Sequence, residues 1–219
     1  MLRSRLALLG VALGGLLAAC DSGSPGSPFP ETPGATPVSL APQTMLLRPA
    51  QLAGYERTAD STVDANTLSD QENDPTLVGT LQREGLQVGA RATYSDPNKG
   101  APPTPFTTVI SQVLLFADAQ GAASFFTDEQ ARRAKPPQGG TLSSLTLPLG
   151  GADAVVGLAA AVPASSAGDP PSRALFALIR RGRVIAELLG GGSAVTATDD
   201  RFVTLVSEQE SQLGAALAS

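Results

Sequence analysis

Thr107-Thr108-Val109-Ile110-Ser111-Gln112-Val113-Leu114-Leu115-Phe116 is apolar on both faces of an extended chain: Val109, Val113 and Leu115 on one side, Ile110, Leu114 and Phe116 on the other. A half-exposed strand alternates apolar with polar residues, so a run that is apolar on both sides marks a central strand covered from above and below. The segment before it behaves differently. Leu86, Val88, Ala90, Ala92 and Tyr94 alternate with Gln87, Gly89, Arg91 and Thr93, the pattern of a strand with one buried face. The proline-rich stretch from Asp96 to Pro105 joins the two as a loop.

Outward from this pair, the chain reads as alternating strands and helices. The folded part begins near Met45-Leu46-Leu47, and Leu52 to Tyr55 leads into a strand through Val63. Asp74-Pro75 followed by Leu77, Val78 and Leu81 predicts a helix start, with Gly85 placed to end it in the left-handed conformation. After the central strand, Asp118 caps a helix running to about Ala134, with Ala119, Ala122, Phe125 and Phe126 facing inward. Asp128 with Arg132 and Glu129 with Arg133 are i,i+4 pairs, and Pro136-Pro137 stops the helix. Two apolar stretches follow, Leu142 to Leu149 and Ala152 to Val162, then a loop from Ala164 to Ser172. A hairpin is expected from Ala174 to Arg180 and Arg183 to Leu189, turning at Arg181-Gly182. Phe202, Leu205, Val206, Leu213 and Leu217 form the stripe of a closing amphipathic helix. The implied class is α+β: a single antiparallel sheet of about five to seven strands with about three packed helices.

The N-terminus carries an address. Arg3 and Arg5 precede an uncharged apolar run, and Leu6 to Ala19 spans 14 residues. That is short of the ~20 a membrane-spanning helix needs. Cleavage after Ala19 for simple secretion would put the large Leu17 where a small residue is wanted. Leu17-Ala18-Ala19-Cys20 instead resembles the lipobox of bacterial lipoproteins. The resemblance implies a signal peptide over 1–19, cleavage before Cys20, and a diacylglyceryl group with acyl chains such as palmitate on its thiol. Residues 20–42, with Pro25, Pro28, Pro30, Pro33, Pro37 and Pro42, read as a disordered tether. Residues 43–219 read as the single domain. The expected location is extracytoplasmic, with the lipid on Cys20 holding the chain to the cell membrane.

Composition excludes several classes. The chain has 15 basic and 20 acidic residues, and removing 1–19 takes away Arg3 and Arg5 but no acid, leaving −7. A nucleic-acid binder needs a basic footprint. Without histidine, Ser-His and Cys-His nucleophile systems and His-bearing zinc sites are out of reach. Cys20 is the only cysteine, so no intramolecular disulfide forms. No Gly-x-Ser-x-Gly elbow, P-loop or dinucleotide glycine pattern occurs. Asp70-Gln71-Glu72-Asn73-Asp74 opens like a calcium loop, but Pro75 stands at the glycine position and Leu81 at the final glutamate. No metal, cofactor or catalytic residue is expected.

Arg180, Arg181 and Arg183 form the densest local charge cluster. They suit contact with an anion or partner, but the favoured reading is a polar hairpin tip that keeps an edge from pairing. The segments Phe116 to Phe126, Leu147 to Ala154 and Ile179 to Ile185 resemble a pattern of uncharacterised secreted lipoproteins of GC-rich bacteria. Some of these are similar to the Mog1/PsbP-type sandwich, with helices on both sides of an antiparallel sheet. No functional residues come with that resemblance. The functional expectation is a non-enzymatic binding or sensor-like module with an unknown protein partner. The alternative is a carrier of a lipid or other small apolar ligand in a cavity between sheet and helices.

Overall fold

The computed structural model describes residues 40–98, 104–164 and 170–218. Leu17, Ala18, Ala19 and Cys20 lie outside the described residues. The strands are β1 (Glu56–Val63), β2 (Leu86–Ser95), β3 (Thr108–Phe116), β4 (Thr141–Leu145), β5 (Ala154–Val162), β6 (Ser172–Arg181) and β7 (Val184–Ser193). They make one seven-stranded sheet in the order β1-β2-β3-β7-β6-β5-β4, every neighbouring pair antiparallel. The chain lays down β1 to β3 as a meander and crosses to the far edge. It then returns strand by strand until β7 docks beside β3. Both members of that central pair are therefore interior strands, as the doubly apolar 107–116 run requires.

Four helices cover the sheet: α1 (Ala65–Glu72), α2 (Leu77–Arg83), α3 (Ala119–Arg133) and α4 (Asp199–Leu217). The side-chain period of two divides β3 between two cores. Leu114 and Phe116 join Leu68, Leu77, Leu81, Ala122, Phe125 and Phe126, so α1, α2 and α3 share one face. Val109, Val113 and Leu115 join Phe202, Leu205, Val206 and Leu213, so α4 lies on the other. Met45, Leu46 and Leu47 complete that second layer from the 3-10 turn Pro42–Met45 and the residues just after it. Leu40 packs against this core and Pro42 is buried, so the compact unit takes in the end of the proline-rich stretch.

The sheet class and the closing helix match expectation, and α1 is one helix more than the sequence pattern predicts. Asp64 caps it by accepting from the Thr67 N–H at 2.7 Å, and Asn73 ends it in the left-handed region at φ 51°. Gly85 takes a positive φ of 76° after α2, as its position predicts. Asp118 caps α3 through the Gly121 N–H at 2.8 Å. Ala119 is exposed there rather than inward. The β6–β7 turn is Gly182-Arg183, one residue later than the pattern suggests, because Arg181 still pairs with Val184. Among the described residues no helix is long and apolar enough to cross a membrane.

A buried polar network ties the α4 layer to β3. The Ser111 hydroxyl donates to Gln209 Oε1 at 2.7 Å and accepts from the Leu47 N–H at 3.2 Å. Gln209 Nε2 donates to the Met45 carbonyl at 2.6 Å, and the Tyr94 hydroxyl donates to the Leu47 carbonyl. Such groups cost free energy when buried unless bonded, so their pairing fixes how α4 and the 40–47 segment sit.

Candidate functional site

The opposite face of β3 carries a different polar group. Gln112 is 3% exposed and pairs in register with Arg91 of β2 and Glu187 of β7, so the three side chains form one row across the sheet. α1 brings Gln71 and Glu72 to one side of this row and α3 brings Arg133 to the other. Together with Ile110, Phe176 and Leu189 they enclose a cavity of about 300 Å³.

Most charge around it is matched. Glu129 of α3 is buried and accepts from Arg133 Nε at 2.6 Å and from Arg132 on its other oxygen. Arg133 reaches Glu72 at 2.5 Å, and its guanidinium lies 5.1 Å above the Phe176 ring. The expected Glu129–Arg133 pair therefore forms. Arg132, expected beside Asp128, turns to Glu129, where a buried carboxylate has more to gain from a cation. Burial works against the charge on Arg133, but Glu129, Glu187 and Glu72 outweigh it and hold its pKa above the ordinary arginine range.

Two ionisable side chains that line the cavity, Arg91 and Glu187, form no ion pair among the described residues. Arg91 is held by a neutral amide, donating to Gln71 Oε1 at 2.6 Å. Glu187 is likewise held by an amide, accepting from Gln112 Nε2 at 3.2 Å. Desolvation, reinforced by Glu129 and offset in part by Arg133, pushes the Glu187 carboxyl up to about 8. The carbonyl oxygen of Gln112 is buried and has no hydrogen-bond partner. A buried acceptor without a partner, on a residue that lines a cavity and beside a carboxyl whose pKa is raised, lacks only a donor.

The cavity continues along the sheet. A second depression of about 300 Å³, lined by Leu142, Leu158, Ala160 and Val162, shares Arg133, Phe176 and Leu189 with the first. A shallower space of about 280 Å³ between α2 and α3 holds Glu84, Asp128 and Arg132. There, desolvation first and Asp128 second push Glu84 up to about 7.

The sequence-predicted arginines lie elsewhere. Arg180 and Arg181 are consecutive in β6 and so occupy opposite sides of the sheet. The Arg181 guanidinium packs beside Gly151 and Gly214, and Arg183 is in the turn. None of the three lines the central cavity. Asp70 to Glu72 end α1 and Asn73-Asp74 turn the corner after it; Gln71 and Glu72 of this stretch line the central cavity, while Asp74 accepts from the Thr76 N–H at 3.0 Å. Among the described residues no three of His, Cys, Asp or Glu converge to hold a metal ion. The residues that sequence reasoning missed had one visible signal: Gln112 and Glu187 each interrupt an otherwise apolar strand.

The class defined so far is an antiparallel sheet between two helical layers, with a polar cleft on one face. No family model matches this chain, and no curated protein matches it. Among solved structures, the fold is similar to that of the extracellular domain of PknH from Mycobacterium tuberculosis. The TM-score is 0.54 at 12% sequence identity, covering 83% of this chain and all of that domain.

Proposed function

We propose that the chain is an extracytoplasmic binding or sensor-like module, not an enzyme, held to the membrane by a lipid on Cys20. Its ligand occupies the cleft between α1 and α3. The observation that carries this reading is the buried Gln112 carbonyl oxygen without a partner, beside Glu187 in a cavity. Among the described residues the other orphan side-chain oxygens belong to carboxyl groups, of Glu84, Glu208 and Glu210, while a buried amide such as Gln209 is paired at both ends. Support for the extracytoplasmic setting comes from the lipobox resemblance and from the fold similarity to an extracellular domain. Support for a non-enzymatic role is the chemistry of the site: Glu72 and Arg133 are locked in ion pairs, Arg91 and Glu187 are held by glutamine amides, and neither histidine nor cysteine lines it.

Native mass spectrometry of the full chain extracted from its own membrane tests the cleft. A copurified small molecule that a crystal structure locates against Gln112 and Glu187 is the expected result, and a ligand seated elsewhere contradicts it. For the anchor, cell fractionation is decisive. Wild type is expected in the membrane pellet and Cys20→Ala in the soluble fraction, because acyl burial at ~0.8 kcal/mol per CH₂ is the hold. An unchanged distribution overturns lipid anchoring.

The apolar depression along β5 and β6 favours a second reading, a carrier of a lipid or other apolar ligand. Copurified acyl chains lying between Leu142 and Val162 would establish it in place of the first.

A further inference from the structure

We infer that the cleft recognises a small zwitterion of the α-amino-acid class, its ammonium seated between Glu187 and the Gln112 carbonyl oxygen and its carboxylate on Arg91. This rests on the cleft being the ligand site and names the chemistry it takes.

Charge accounting leads there. Arg132, Glu129, Arg133 and Glu72 form a closed run of alternating pairs that leaves no net charge to satisfy. What remains is one cation and one carboxyl, Arg91 and Glu187, each on a neutral glutamine amide. They flank Gln112 in one cross-strand row, so their backbones stand roughly 10 Å apart, two strand spacings. Both line the same cavity, and its volume of about 300 Å³ belongs to the small end of ligand sites. A simple anion would match Arg91 but leave the Gln112 acceptor empty. A simple amine would do the reverse, leaving Arg91 with only the neutral Gln71 amide. A ligand with both groups on a short frame satisfies all three residues. An ammonium has three N–H donors for two acceptors, and the guanidinium fork matches a carboxylate with two parallel bonds. Ile110, Leu189 and Phe176 form an apolar wall beside the row, suited to an apolar ligand side chain.

Binding also moves a proton. Glu187 faces Glu129, Arg132 and Arg133 from α3, Glu72 from α1 and Arg91 from β2, and burial keeps it neutral near pH 7. On meeting an ammonium it ionises, and its proton passes to the buffer.

Isothermal titration of the full chain in detergent tests this with L-leucine, with 4-methylpentanoate (which lacks the amine) and with isoamylamine (which lacks the carboxylate). Leucine is expected to bind, and each half-ligand to bind at least about tenfold more weakly. The heat near pH 7 should vary with buffer ionisation enthalpy, reporting proton release, and lose that dependence in Glu187→Gln. Arg91→Gln and Glu187→Gln should each lower leucine affinity by about tenfold or more. The half-ligand comparison uses the unmodified chain, so a misfolded variant does not decide the outcome. If neither leucine nor any other standard amino acid binds, or if either half-ligand matches leucine, the zwitterion assignment is overturned. A singly charged or uncharged molecule found against Gln112 would also overturn it while leaving the cleft reading intact. A ligand bound outside the cleft overturns both.

Discussion

Ser111 and Gln112 are neighbours on β3, both buried, on opposite faces of the sheet, and their fates differ. Ser111 has every bond it can use within the α4 layer. Gln112 keeps one amide hydrogen bond, to a carboxyl that is itself short of partners, and leaves its carbonyl oxygen unsatisfied. The consequence is measurable through Glu187. Its folded pKa lies near 8 against an ordinary value of 4.5, so the folded state retains a proton that the unfolded chain releases. Stability therefore falls as pH rises from about 4.5 to about 8 and levels off above that. Denaturant unfolding across this range should show the decline, and Glu187→Gln should flatten most of it. Glu84, with its carboxyl raised to about 7, contributes a residual slope of the same sign. An equally steep decline in Glu187→Gln would count against a buried neutral carboxyl. The sequence exposed Gln112 and Glu187 as polar interruptions in apolar runs. It gave no measure of their separation, because they stand 75 positions apart and only the β3–β7 register brings them together.

At the scale of elements, helix signals were most legible where a cap and an apolar stripe coincide. Asp118 and the 122–126 apolar pair of turns placed α3, and Phe202 to Leu217 placed α4. Replacing Asp118 with alanine leaves the Gly121 N–H unpaired and should cost ~1 kcal/mol in urea unfolding. The Gly121 position is more restrictive. A methyl group built there would stand 1.8 Å from the Glu84 carbonyl oxygen, so α3 approaches the end of α2 too closely for any side chain. Gly121→Ala should destabilise by ~1–3 kcal/mol, with the unfolding midpoint as readout. A neutral substitution would mean that the two helices are not held at this distance. α1 escaped sequence reading because its eight residues carry Leu68 as their one large buried apolar side chain, and its acidic content imitates a solvated loop. Its capping residues, Asp64 and Asn73, were the available signal. Missing α1 also hid Gln71 and Glu72, and with them one wall of the cleft.

At the scale of the molecule, one sheet separates a closed side from an open one. On the α4 side Phe106 and Phe202 meet edge to face at 6.1 Å, both fully buried. Phe202→Ala should cost ~3–5 kcal/mol by equilibrium unfolding, and a loss under 1 kcal/mol would contradict a core sealed by α4. On the other side α3 spans only part of the sheet, leaving the polar cleft and the apolar depression that adjoins it. By itself the sequence determined that this is a layered α+β domain with an antiparallel sheet. Strand and helix periodicities, caps and breakers are local and act within a few residues. It also carried the resemblance to a lipobox, a linear pattern that needs no fold to be read. Only the tertiary structure decided the strand order, the pairing of β3 with β7 and the meeting of Arg91, Gln112 and Glu187 under α1 and α3. Those contacts join residues far apart in the chain, and their energies come from burial and register, which no local pattern encodes.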